Sequence, residues 1–182
     1  IRDSLDIDRA KKSEQQLTTR ASFDALTELY NRETIESQID NEITLSEARK
    51  SEMAVLFIDV DDFKHYNDQY SHATGDQVLK FVARTIKGTV NEFGFAGRYG
   101  GDEFIACIRN AEINDPTRAA QDIISKLEEG FECDGVHLTV SVSIGISMIK
   151  DDYNTRVEYI IGKADDAMYS VKKNGKSNYA FI

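Results

Sequence analysis

Tryptophan is absent from the chain, proline occurs once and cysteine only twice. Cys107 lies in an apolar run and Cys133 in a loop or short strand, which makes neither a disulfide framework nor a metal site, and a reducing cytoplasm is the simplest setting. No apolar run approaches the roughly 18 residues of a membrane span, and the start lacks the basic-then-apolar pattern of a secretory signal. No direct membrane contact is therefore expected from this segment. The chain begins at Ile1 and not at Met, so it reads as part of a longer protein, in which a membrane anchor would have to lie elsewhere. Basic residues are also short: 22 Lys and Arg stand against 32 Asp and Glu, a net charge of −10. Such a surface repels a phosphate backbone, and no basic stripe offsets it, so nucleic acid is not expected as a partner. A small polyphosphate would need a divalent metal to bridge it to clustered carboxylates.

What remains is the make-up of a globular protein. Hydrophobic residues form 41% and charged residues 30% of 182 positions, enough for one domain with a core and an extension. Residues 1–22 read as a charged, glycine-free helical lead-in with Leu5, Ala10 and Leu17 as its main apolar points; both a partner helix and a solvated terminus are compatible with so thin a seam. Residues 23–182 read as the main domain. A helix is expected over about Glu33–Lys50 with Ile35, Ile39, Ile43 and Leu45 inward. Met53–Ile58 is an unbroken apolar run of strand length, expected to be central and covered on both faces. Phe63–Asp68 reads as a short helix, Thr74-Gly75-Asp76 as the opening of a longer one with Val78, Leu79, Val82, Ala83, Ile86 and Val90 inside. Asp115-Pro116 caps a further helix that Gly130 stops. Val136–Met148, with Gly145, reads as two short strands or one bulged strand. A helix from about Val157 ends at Asn174-Gly175, and Tyr179–Ile182 closes the chain as a strand. The expected class is α/β (α+β), a central mixed sheet with an antiparallel hairpin, flanked by helices.

The chemistry points to two acidic stretches. Arg98-Tyr99-Gly100-Gly101-Asp102-Glu103-Phe104 reads as a hairpin tip whose Gly-Gly pair tolerates positive φ. Asp59-Val60-Asp61-Asp62 ends the buried strand, where ligands bind in α/β sheets. If that strand lies beside the hairpin, Asp59, Asp102 and the Val60 carbonyl make a hard-oxygen set suited to Mg²⁺, and two such ions would clamp both oxygens of a phosphoryl or nucleotidyl transfer. Asp61 or Asp62 is expected to cap the next helix. The N–H groups around Asp62, Phe63 and Lys64, with the Lys64 ammonium, suit an anion. Lys172 and Lys176 either reach the same phosphates or complement a helix dipole.

Gly100-Gly101-Asp102-Glu103-Phe104 resembles the signature of the GGDEF-domain diguanylate cyclases. The resemblance runs from about Asp24 to Asn178, through Asp24-Ala25-Leu26-Thr27, Asn31-Arg32, Asp59-Val60-Asp61-Asp62-Phe63-Lys64, Asn67-Asp68, His72, Gly75-Asp76, Ser143-Ile144-Gly145, Ala164-Asp165-Asp166-Ala167-Met168-Tyr169, Lys172 and Gly175. It implies a palm fold like that of nucleotidyl cyclases, and a reaction in which two GTP molecules, one per domain of an antiparallel homodimer, give cyclic di-GMP and two pyrophosphates. It implies two Mg²⁺ (or Mn²⁺) ions per site on Asp59, the Val60 carbonyl, Asp102 and Glu103. Asp102 would also help to deprotonate the 3′-hydroxyl, with Glu103 in support. Lys64, Lys172 and Lys176 would take the triphosphate, Asn67 and Asp76 would read guanine, and His72 matches another substrate-side position. Asp76 disfavours ATP, whose adenine cannot supply the matching donors. Residues 6–17 are similar to the helix that leaves PAS sensor domains, which implies an upstream sensor.

Three departures stand out. Asn91 and Gly94 replace the Arg-x-x-Asp of the family's inhibitory product site, so no product inhibition is expected there. Ser71 stands for the usual Gly before His72, and Lys176 for the usual Arg. The alternative to an active cyclase is a catalytically weak module of the same family that binds GTP or a cyclic dinucleotide for signalling.

Overall fold

The computed structural model describes residues 7–9, 11–13 and 21–182. Residues 7–9 and 11–13 are helical and exposed; Leu5, Ala10 and Leu17, and with them the test of a seam or of a sensor-derived helix, lie outside the described residues. Among the described residues no helix is long and apolar enough to cross a membrane.

α1 (Arg32–Arg49) begins where the Asn31 side chain accepts the Thr34 N–H and ends at Lys50 in a left-handed conformation. It buries Ile35, Ile39 and Ile43 as expected. Leu45 does not follow them and is 36% exposed. Two residues past Ile43 is about 200° around the helix, so the inward place after Glu42 and Ile43 goes to Ser46. β1 (Met53–Val60) is buried at all eight positions. α2 (Phe63–Gln69) and α3 (His72–Val90) follow; α3 starts before Thr74 because the Ser71 hydroxyl accepts the Thr74 N–H at 3.1 Å. β2 (Gly94–Arg98) and β3 (Glu103–Arg109) form the hairpin. α4 (Pro116–Glu129) is capped by Asp115 and stopped by Gly130. β4 (Phe131–Cys133) and β5 (Val136–Leu138) make a separate ribbon. β6 (Val142–Ile149), α5 (Val157–Lys173) and β7 (Asn178–Phe181) complete the chain.

The main sheet has the order β2-β3-β1-β6-β7, antiparallel except for the parallel β6–β7 pair. β1 is central and its side chains alternate between two cores. Ala54, Leu56, Ile58 and Val60 join Phe104, Ile144 and the inner residues of α3 and α4. Met53, Val55 and Phe57 join Ile105, Cys107 and the inner residues of α1 and α5. Of the two readings of 136–148, the separate strands are the right one. Gly145 is no bulge: it pairs in register with Phe57, and a Cβ there would collide with the backbone of α5 at Ala164 and Met168. The missing side chain lets α5 lie directly on β6, and so sets how close the end of α5 comes to the end of β1.

Candidate active site

The antiparallel register sets Asp59 opposite Glu103, and the Val60 N–H donates to the Asp102 carbonyl at 3.1 Å. The two acidic stretches therefore meet at one end of the sheet. Directly opposed residues share a face, so Glu103 stands on the side of Asp59, while Asp102 sits on the tip just before β3. That side is covered by α5, and the last turn of α5 brings Lys172 Nζ to 2.5 Å from Asp59 Oδ1.

Burial pushes the Asp59 carboxyl up to about 6; the Lys172 contact opposes this, and Asp102 and Glu103 push it further up. Glu103 is raised as well, by burial first and then by Asp102 and Asp165. A half-buried excess of negative charge with one ammonium beside it is a place where a cation binds well. Among the described residues no group of three or more His, Cys, Asp or Glu forms a ready-made metal cage. The donors fit the other kind of Mg²⁺ site, in which one or two carboxylates leave the remaining positions to phosphates and water.

The tip is held by contacts that its own residues do not advertise. Tyr99 and Gly100 donate their N–H groups to the Glu103 carbonyl at 2.8 and 3.1 Å. The Arg98 guanidinium donates to the Gly101 carbonyl at 2.7 Å and pairs with Asp24 at 3.2 Å. The hairpin forms as expected, but neither glycine of the pair uses the positive φ it tolerates; the glycines with positive φ are Gly130, Gly135 and Gly175. A Cβ on Gly100 would displace the end of the Glu103 side chain, whereas one on Gly101 meets nothing within 4 Å. Thr27 donates both its N–H and its hydroxyl to Asp24. Burial would raise the Asp24 carboxyl, but these bonds and Arg98 outweigh it and hold the group below its ordinary value.

Neither Asp61 nor Asp62 caps α2 with its side chain. Asp62 occupies the cap position in a left-handed conformation with no side-chain cap bond; its carboxylate instead accepts Lys176 Nζ at 2.8 Å. Asp61 is only 4% exposed and turns toward β6, where it accepts from the Ser141 and Ser143 hydroxyls and from the Ser177 N–H. Lys64 is exposed and ion-paired with Asp68 at 3.9 Å. The Phe63 ring packs on the core, which leaves its backbone N–H for the site; the leading N–H groups of a helix have no partner within it.

α2 and α3 bring the expected guanine readers side by side. The Asn67 carboxamide occupies the space where Gly75 would carry a Cβ, and Asp76 follows, exposed on α3. His72 is exposed on the first turn of α3. Asn91 and Gly94 lie apart from these residues, along a cleft of about 230 Å³ with Tyr30, Lys87 and Phe95. Sequence reasoning named no role for Arg98, Ser141, Ser143 or Ser177. Arg98 was findable as a cation adjoining an acidic turn; the serines carry no local signal.

The profile of the family described as "Diguanylate cyclase, GGDEF domain" matches residues 21–178. The chain is 34% identical over 178 residues to the signaling protein YkoW of Bacillus subtilis, covering 97% of this chain and 22% of that one. It is 35% identical over 159 residues to the diguanylate cyclase DosC of Escherichia coli K12, covering 85% and 34%. These curated relatives are thus several times longer than the matched segment. Among solved structures, the GGDEF domain of PA1120 (TpbB or YfiN) from Pseudomonas aeruginosa superposes with a TM-score of 0.80 at 32% identity, over 87% of this chain and 93% of that one. With the profile matching all but the ends of the chain, the chain belongs to the GGDEF-domain family of diguanylate cyclases.

Proposed function

We propose that this domain condenses two GTP molecules into cyclic di-GMP. In each half-reaction the 3′-oxygen of one guanosine attacks the α-phosphorus of the other GTP, the bond to the bridging oxygen breaks, and pyrophosphate leaves. The observation that carries this reading is the pairing of Asp59 with Glu103, which gathers three carboxylates at one sheet end with Lys172 against them. Asp59, the Val60 carbonyl, Asp102 and Glu103 are the groups that would hold Mg²⁺ or Mn²⁺, two ions per site. Bound there, the ions would neutralise phosphate charge and acidify the attacking hydroxyl.

The chain's own residues do the rest. Asp102, half-buried on the tip, accepts the proton of the 3′-hydroxyl. Lys172 and Lys176 give up their carboxylate partners for the triphosphate, with Lys64 and the α2 N–H groups on its other side. Asn67 and Asp76 take the guanine edge. Gly101, with open space where a Cβ would be, lets the backbone approach the nucleotide.

One domain holds one GTP, so two must face each other, and turnover per domain should rise with protein concentration until dimers saturate. The test is incubation with Mg²⁺, GTP and ATP, followed by mass spectrometry of the products. Cyclic di-GMP alone supports the reading. A mixed or adenine-only cyclic dinucleotide overturns the guanine assignment, and unconsumed GTP at dimer-forming concentration overturns the enzyme.

A further inference from the structure

Asp61 lies between the residues assigned above and belongs to none of their roles. Its carboxylate is buried, and every strong bond it makes is to another element. Oδ2 accepts the Ser141 hydroxyl at 2.5 Å and the Ser177 N–H at 3.2 Å, and Oδ1 accepts the Ser143 hydroxyl at 2.7 Å. Lys172 Nζ stands 4.0 Å away. Both oxygens are thus committed to the protein.

The segment it holds is unusual. After α5, Gly175, Lys176 and Ser177 all have positive φ, at 114°, 64° and 46°. Two of these are not glycine, and successive non-glycine residues in the left-handed region persist only when their surroundings impose it. The impositions are visible. The Ser177 N–H goes to Asp61, the Ser177 hydroxyl to Glu128 at 2.6 Å, the Lys176 N–H to the Val171 carbonyl and the Lys176 ammonium to Asp62. On the opposing side Asp62 is itself left-handed, at φ 52°. Two strained turns therefore hold each other, one backbone-to-carboxylate bond and one ammonium-to-carboxylate bond joining neighbouring residues on each side.

We propose that Asp61 is a positioning residue: it fixes the 175–177 turn against the end of β1, so that Lys176 is presented to the substrate triphosphate and Lys172 stays on the same side. Of the two bonds, only that of Asp61 survives substrate binding, because Lys176 must leave Asp62 to reach a phosphate. Of the turn's ties to the end of β1, that of Asp61 then remains when its lysine is used, while Glu128 and Val171 hold its other side. This inference rests on the assignment of those lysines to the triphosphate, and its first readout does not.

The experiment compares Asp61→Ala and Asp61→Asn with wild type by amide hydrogen exchange at residues 175–178 and by steady-state kinetics with Mg²⁺ and GTP. In Asp61→Ala the Ser177 amide is expected to exchange at least about tenfold faster and KM for GTP to rise about tenfold, at the low end for removing a supporting partner of a site. kcat should fall by much less. Asp61→Asn keeps one acceptor, and the serine hydroxyls can turn to its amide, so KM should recover most of the way. If Asp61→Ala does not fold, the Ser141→Ala, Ser143→Ala double variant loosens the same carboxylate and should show both effects in smaller measure. An unchanged Ser177 amide overturns the proposal. So does a faster amide with unchanged KM, or a loss confined to kcat. If wild type consumes no GTP, the cyclase reading fails while the exchange result still decides whether Asp61 holds the turn.

Discussion

A buried carboxylate lies at each end of β1, Glu42 of α1 at one and Asp59 of β1 itself at the other, and the two are treated in opposite ways. At the Met53 end Glu42, 2% exposed, accepts from Ser46, Arg49 and Arg109, with two guanidiniums for one carboxylate. At the Val60 end Asp59, Asp102 and Glu103 crowd together, and the contact on Asp59 is the single ammonium of Lys172. The same sheet, a few residues apart, is overcompensated at one end and undercompensated at the other. A charge kept for the fold is paired within the chain. On the proposed reading, the charge at the Val60 end is left short of its partner for chemistry, and a metal–nucleotide complex would fill the shortfall.

The sharpest way to break this contrast is Asp59→Asn. Cyclic di-GMP formation is expected to drop by roughly a thousandfold, within the range for losing a group that acts directly on the reaction. Without metal or nucleotide the variant should melt no lower than wild type, because the crowded charge is gone; a clear loss of stability would mean that Asp59 is structural, like Glu42. Next comes Mg²⁺ itself. At a hundred times its dissociation constant it should stabilise wild type by about 2.7 kcal/mol. The same gain is expected in Glu42→Gln and none in Asp59→Asn, as read by thermal melts with and without chelator.

Glu42→Gln should lower stability by about 1–2 kcal/mol, since bonds from guanidinium to a charged acceptor become bonds to a neutral one. The rate per folded domain should hold, as measured by denaturant melts alongside product formation. The smallest effect concerns Asp24. Its pKa is lowered on folding, so its contribution is fully present above the unfolded value of about 3.9 and is lost as pH falls through the lower folded value. For a partly exposed group this amounts to less than about 1 kcal/mol. Comparing acid unfolding of wild type and Asp24→Asn below pH 4 should show the wild type losing its advantage.

Much of the site was legible because its parts are local patterns. A continuous apolar run names a central strand, and Gly-Gly before Asp-Glu names a tip, so the Asp59–Asp102 meeting followed from one assumption, that the two strands are neighbours. The helix caps at Asp115 and Gly130 were equally plain. Leu45 was misplaced because an apolar residue at the edge of a stripe looks like a member of it until the neighbouring surface is known. The Gly-Gly pair was read as a tip that tolerates positive φ; the hairpin is there, but neither glycine takes positive φ. Asp61 or Asp62 was read as a cap because an aspartate before a helix usually is one, and the serine partners of Asp61 stand 80 or more residues away in the chain.

By itself the amino-acid order determined the elements, the mixed sheet and the residue types at its acidic end, since periodicity and turn chemistry act over a few residues. Only the tertiary structure decided which carboxylates are paired and which are left over. That balance depends on where Lys172, Arg109, Arg98 and Ser177 come to rest, and those places are set by α5 lying flat on Gly145 and by the β1–β3 register. Burial then turns small differences in position into large differences in charge energy, which a sequence does not carry until the chain is folded.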